Sequence, residues 1–428
     1  MRKGIISLIC FCLICTNIYC GSFKTTSGDW SIEINGAKEI TILKYLGKDK
    51  IVEIPSEIDG IQVTKVGKKS SVFSSNTEKV KISEGIKTIG NSAFFNCYEL
   101  NEVIIPNSVE KIEKEAFFDC RSITTIFIPD SVIYIGDEAF DRCSGLVKIE
   151  LPKNLTYLGE SAFSQCSKIQ KITFPAQISE INSRVFSDCS NLTTVIIPEG
   201  VKILKSGVFS GCKNLNNVYL PSTLQIIENG TFYDCINLVK IELPDALEVI
   251  ESYAFKGCKK LKKIIIPKNV KEIGELAFPN CSELECIIVD PLNETFDSRN
   301  NCNAIINTAE KKLIIGCKTT IIPDDILYIG ENSFYGCDEL KTIKIPNSVI
   351  RINACAFNEC LKLENIQLSE NLVYIGYLAF GKCVSLKTIV LPTTIKKIED
   401  AAFGSCNFTL EKKIELIELF GENIFDNH

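Results

Sequence analysis

The chain has 428 residues, 45% of them hydrophobic and 23% charged, so it is composed like a folded protein and lacks the long polar runs of a disordered one. Its net charge of −6 gives no overall positive field to draw in a phosphate backbone, which argues against nucleic acid as a partner. The one histidine is His428, so a Ser-His-Asp or Cys-His catalytic arrangement and a histidine zinc site are both excluded.

The first residues read as a secretory leader over 1–22: Arg2 and Lys3, an apolar run from Ile5 to Cys15, then small residues around Cys20, Gly21 and Ser22. That run is shorter than a membrane span, and no later segment is uniformly apolar, so no transmembrane segment is expected in the mature chain. An N-terminal cap over 23–72 follows. Within it Trp30, Ile32 and Ile34 alternate before the turn pair Asn35-Gly36, and a hairpin from Trp30 to Tyr45 is predicted.

A solenoid is predicted over 73–406, because cysteine returns every 23 residues from Cys97 to Cys281 and again from Cys337 to Cys406. Counted from each cysteine, Leu or Ile stands at +3, Ile or Val at +6, and an aliphatic residue at +8. Proline usually follows at +9, aliphatics at +12 and +15, Ala at +19 and Phe at +20. The alternation at +6 and +8 is that of a short strand with one buried face, ended by the proline. Ala116, Phe117, Cys120 and Ile123 lie three and four apart, the spacing of a short helical turn. The fold class is therefore an α/β repeat solenoid, a right-handed stack with one short parallel strand and one short helical turn per coil. Stacking is required, since one coil buries too little apolar surface to offset its chain entropy. Fourteen phenylalanines, Phe73 to Phe403, mark the coils and are predicted to be buried.

One coil is ten residues too long. The excess falls within 290–316, where Ala304 and Ile306 alternate on one arm and Leu313 and Ile315 on the other, predicting a hairpin that projects from the stack. Cys302 and Cys317 stand at its two ends, where antiparallel arms would bring them within bridging distance; two unpaired thiols are the alternative. Past Cys406 the repeat gives way to a cap over 407–428, with Leu410, Ile414, Ile417 and Phe420 as a helical stripe that closes the end.

Units such as "CRSITTIFIPDSVIYIGDEAF" and "CDELKTIKIPNSVIRINACAF" resemble the leucine-rich repeats of BspA-type surface proteins, from about residue 38 to 406. The resemblance implies a secreted or cell-surface protein that attaches to host matrix proteins or to other cells. The repeat pattern itself fixes architecture and leaves the partner open.

No cofactor and no enzymatic activity are expected. The mature chain has no C-x-x-C pair to announce a metal site, and the ladder cysteines point with Ala and Phe into the core, where cysteine serves as a small hydrophobe. Asp290, Asn293, Glu294 and Asp297 lack the spacing of a calcium loop and read as a turn. The lysines between Lys259 and Lys271 read as a solvated face.

Function is sought where packing leaves the choice of residue free, in the outward +7 row. There Ile104, Phe127, Ile196, Tyr219 and Ile265 are apolar, flanked at +5 by Lys148, Lys171, Lys240 and Lys263. If the stack curves, this row is its concave face. The expectation is an adhesin-like protein presenting this sheet to an extracellular protein or glycan; the alternative is a structural or self-assembling envelope protein without a dedicated ligand.

Overall fold

The computed structural model describes residues 22–36 and 39–425, in two compact units that divide between Lys213 and Asn214. The leader expected over 1–22 lies outside the described residues except for Ser22, as does His428.

The first unit opens with the predicted hairpin: Trp30–Asn35 pairs antiparallel with Glu39–Tyr45, burying Ile32, Ile34, Ile40 and Ile42. A polar strand that the sequence did not announce, Ser22–Ser27, pairs with the outer edge. On its other side Glu39–Tyr45 runs parallel to Ile61–Val66, so the hairpin hands its sheet to the coils and covers the edge they would otherwise expose. Trp30 packs on Tyr45 with ring centroids 4.9 Å apart, and Tyr45 on Phe73 at 6.3 Å, closing the aromatic column of the coils.

A regular coil shows how the pattern becomes structure. After Cys97, Glu102–Ile104 forms the expected strand at +5 to +7, in parallel register with Lys79–Ile82 of the preceding coil. Pro106 ends it, and its carbonyl accepts from Val109 N–H at 3.2 Å, which turns the chain. A second two-residue strand then forms at +14 and +15: Lys111–Ile112 pairs parallel with Thr88–Ile89 on one side and Tyr134–Ile135 on the other. Each such coil thus contributes to two sheets, where one strand was expected. Two residues are too few to show alternation, and aliphatics at +12 and +15, three apart, mimic helical spacing.

The expected helical turn takes the form of linked tight turns. Ala116, Phe118 and Cys120 donate to the carbonyls three residues back, at 3.1–3.3 Å, the 3₁₀ pattern. Left-handed backbone at Glu115 (φ 55°) and Asp119 (φ 59°) stops this from propagating as a helix. The intervening donors reach the next coil instead: Phe94 N–H to Ala116 O and Phe117 N–H to Ala139 O, both 2.7 Å. A third ladder results, and it satisfies a backbone that would be too costly to bury unpaired.

The core of each unit is a column of parallel phenylalanine rings. In the first unit Phe94, Phe117, Phe140 and Phe163 stack at 4.8–5.0 Å with planes within 6°. In the second, Phe232, Phe255 and Phe278 form one run and Phe334, Phe357, Phe380 and Phe403 another. All fourteen phenylalanines are buried, as the period predicts. Burial of each ring contributes about 1.5–3 kcal/mol, and each stacked pair about 0.5–1.5 kcal/mol more.

In the second unit Lys263–Ile266 pairs with Cys286–Val289 and Thr342–Lys344 with Asn365–Gln367, all parallel. The stretches at 240–243 and 388–391 keep Ile241 and Ile389 buried without being strands. The long coil differs from the expectation of a projecting hairpin. Ile305–Asn307 and Lys312–Ile315 are the two arms, joined by Phe296–Asp297 as a third antiparallel strand, but Lys312–Ile315 also pairs parallel with Tyr328–Ile329. Ala304, Ile305, Ile306 and Leu313 are fully buried. The insertion is built into the second sheet because its apolar side chains have nowhere else to leave water. At its end Gly316 lies against Phe334: a Cβ there would come within 2.1 Å of that ring, so any other residue would require the ring to shift.

The final coil is closed by the helix Leu410–Phe420, with Thr409 capping Lys412 N–H at 3.3 Å, and by the short 3₁₀ segment Glu422–Phe425. Asn423 and Ile424 carbonyls accept from Ala401 and Phe403. The helix is rotated from the expected stripe: Leu416 is buried, while Leu410 and Ile414 are exposed. Phe420 of the stripe is half-buried against the same core, so contact runs through Leu416, Phe420 and the segment after the helix, and the stripe set only part of the buried face.

Candidate binding faces

The five residues singled out on the +7 row are all exposed. In the first unit these are Ile104, Phe127, which has 71% of its surface open, and Ile196; in the second, Tyr219 and Ile265. They point outward because their +6 and +8 neighbours point in, as Ile126 and Ile128 do around Phe127. The row is not uniformly apolar. Glu150 and Thr173 stand between Phe127 and Ile196, and Glu242 stands between Tyr219 and Ile265. Within the units two pairs on consecutive coils remain: Ile104 with Phe127 in the first, and Ile265 with Ile288 in the second, the latter in direct strand register. Ile288 belongs to this face although it was not among the five, as do Ile321 (74% exposed) and Val390 (79%). The same +7 offset, resumed beyond the long coil, identifies both.

The lysine border is partly neutralised on its own strands. Lys148 reaches Glu150 at 2.8 Å and Lys240 reaches Glu242 at 3.9 Å, so the charge it offers a partner is smaller than the lysine count suggests.

The thiol column holds no activated nucleophile. Ten ladder thiols donate to the carbonyl of the phenylalanine 26 residues earlier, as Cys120 does to Phe94 and Cys143 to Phe117 at 3.1 Å and Cys258 to Phe232 and Cys360 to Phe334 at 3.2 Å, whereas Cys97 faces Ser71 Oγ at 3.8 Å. Cysteine fits because it is small and apolar enough to be buried yet carries one weak donor. Burial pushes the thiols of Cys143 and Cys281 up to about 12, and those of Cys120, Cys166 and Cys258 well above the ordinary range. A thiol held neutral in this way is unreactive. Among the described residues no group of three or more His, Cys, Asp or Glu side chains is gathered to hold a metal ion.

At the insertion, Cys302 and Cys317 are both buried and unpaired, so the bridge expected between them is not formed in this structure. They lie beyond Ile305 and Ile315, the last paired residues of the arms, where the ladder no longer holds them opposite. Cys302 Sγ faces Ala304 O at 3.8 Å and Cys317 Sγ faces Asn303 O at 3.4 Å. The acidic stretch acts as a turn. Asn293 bridges Pro267 and Val270 carbonyls and accepts from Thr295 and Phe296 N–H, while Asp297 is held by Arg299 and Thr308.

A second outward surface was not anticipated, since the strands that carry it were not. At +14, Tyr134 and Tyr157 stack at 4.7 Å in the first unit, and in the second Arg351 lies over Tyr374 with its guanidinium carbon 4.1 Å from the ring centre.

Compared with known proteins, the chain matches the BspA type leucine rich repeat region in six copies, over residues 64–193, 179–305 and 314–428. A leucine-rich repeat protein from Bacteroides ovatus has a similar structure, with a TM-score of 0.68 and 24% identity over 88% of this chain and 99% of that one. One from Eubacterium ventriosum gives 0.51 and 21% over 91% and 96%. A leucine rich cell surface protein from Faecalibacterium prausnitzii gives 0.44 and 25% over 95% and 94%. No curated protein matches.

Proposed function

The chain belongs to the BspA type leucine-rich-repeat family, and from that premise we propose that it is a secreted or cell-surface, non-enzymatic binding protein that recognises an extracellular protein or glycan through the outward row of its first sheet. Among the described residues no helix is long and apolar enough to cross a membrane. The reading is carried by the two exposed apolar pairs, Ile104 with Phe127 and Ile265 with Ile288. Paired apolar side chains held outward on or beside short strands gain from being covered. Aromatic anchors such as Phe127 are the residue type that dominates interface energetics.

The test is solid-phase binding of the chain to extracellular-matrix proteins and to cells, alongside the variants Ile104→Ser/Phe127→Ser and Ile265→Ser/Ile288→Ser. At least one variant should bind at least tenfold more weakly with an unchanged thermal midpoint, since neither pair packs inward. Concentration-dependent self-assembly without any ligand, abolished by the same variants, would instead make this face a contact between copies. Undiminished binding by both variants would remove the row from recognition.

A further inference from the structure

We propose that the first unit also carries, on its second sheet, a binding site for an acidic saccharide whose sugars bear sulfate or carboxylate groups. The inference does not rest on the reading of the strand face. The register of the second sheet creates the site: Lys65 lies beside Thr88, Thr88 beside Lys111, Lys111 beside Tyr134, and Tyr134 beside Tyr157. Lys68, Asn91 and Lys114, each two residues past a paired strand residue, form a second row alongside. These three, with Lys65, Lys111 and Tyr134 of the first row and with Lys69 and Glu113, line one open cleft.

Elsewhere in the chain a lysine is commonly matched by a carboxylate 23 residues away on the neighbouring coil, as in Lys79–Glu102, Lys87–Glu110, Lys271–Glu248 and Lys362–Glu339, all within 3.0 Å. The same register here sets Lys111 between a threonine and a tyrosine. Lys65 is held by Glu113 at 2.6 Å and Lys68 by Glu33 at 2.5 Å, and Lys114 is shared more loosely between Glu138 at 3.5 Å and Glu115 at 3.6 Å. Among the described residues Lys69 and Lys111 meet no carboxylate within ion-pair distance, and both are exposed. In a chain of net charge −6, five lysines line this cleft; Glu113, Glu33, Glu115 and Glu138 engage three of them, and Lys69 and Lys111 are left with their charges open to a ligand.

The neighbours of these cations select the kind of anion. Lys65 and Lys111 stand two coils apart, about 10 Å, a spacing suited to acidic groups on alternate sugars of a linear chain. Tyr134 lines the cleft with one ring face braced on Tyr157 at 4.7 Å and the other left for the apolar face of a sugar, and Asn91 beside it offers an amide to sugar hydroxyl groups. A bare phosphate would use only the ammonium groups.

The test measures binding of the full chain to immobilised heparin, for sulfate, and polygalacturonate, for carboxylate, with neutral dextran and single-stranded DNA as comparisons. At least one acidic polysaccharide should bind, in a salt-sensitive manner, and dextran should not. Lys69→Gln/Lys111→Gln should weaken that binding at least tenfold, and Tyr134→Ala at least threefold, with the circular dichroism of the wild type. Phe127→Ser should leave it unchanged, which separates this site from the strand face. The proposal is overturned if neither acidic polysaccharide binds, or if the lysine variant binds as wild type. It is equally overturned if DNA binds as tightly and Tyr134→Ala has no effect, since that is attraction to any polyanion.

Discussion

Raising the pH from 7.5 to 9.5 should destabilise this protein through its buried thiols. In the unfolded chain a cysteine ionises at about 8.5. Folded, Cys143 and Cys281 are pushed by burial up to about 12, and the thiolate form has no place in the core. Below about pH 8.5 both states keep the proton and nothing is lost. Above it the unfolded state releases a proton that the folded state retains, so stability falls with rising pH until the folded value near 12 is reached. At pH 9.5 the loss is about 1.4 kcal/mol per thiol, or about 3 kcal/mol for these two, set against a typical total of about 5–15 kcal/mol. Cys120, Cys166 and Cys258 are displaced in the same direction and add to the effect. The assay is urea unfolding followed by circular dichroism at pH 7.5, 8.5 and 9.5 under reducing conditions. The window lies below the ordinary lysine and tyrosine ranges, so their ionisation contributes little. A double variant Cys143→Ala/Cys281→Ala should lose less stability across the window than the wild type. Unfolding free energy that stays level or rises from pH 7.5 to 9.5 would refute the neutral, buried thiol column.

Two further outcomes follow from the packing. Phe163 is fully buried, its ring 5.0 Å from Phe140 and 5.7 Å from Phe186 in parallel stacks. Phe163→Ala should cost about 3–5 kcal/mol in urea unfolding and Phe163→Leu less than half of that, while a loss under 1 kcal/mol for the alanine variant would mean the column is not a close-packed core. Gly316→Ala should lower stability by about 1–3 kcal/mol, because its Cβ would stand 2.1 Å from the Phe334 ring; a thermal midpoint equal to wild type would show that this ring moves freely.

Much of the coil was legible in the sequence, and the reason is periodicity. A residue repeated every 23 positions meets the same environment each time, so Phe117, Cys120 and Ile126 could be assigned to the core, and Phe127 to the surface, from offset alone. The N-terminal hairpin was legible through alternation ahead of Asn35-Gly36. Where the period lapses, local pattern lost its authority. The arms at 305–307 and 312–315 were correctly placed, yet whether they project or pack depends on an unfilled sheet edge at Tyr328–Ile329, which no local pattern encodes. The stripe after Cys406 gave a helix and put Phe420 against the core, but it missed Leu416, which is buried while Leu410 and Ile414 stay exposed.

The sequence by itself therefore determined the repeat, its buried column and the outward +7 row, since each depends on neighbours related by a constant offset. Only the tertiary structure decided the second sheet, the thiol-to-carbonyl bonds and the lysine cleft. Strands of two residues have no readable alternation; the partner of Cys120 is a carbonyl 26 residues away. Lys65, Lys111 and Tyr134 become neighbours only when stacking sets coils side by side in register, which turns distance along the chain into adjacency across a sheet.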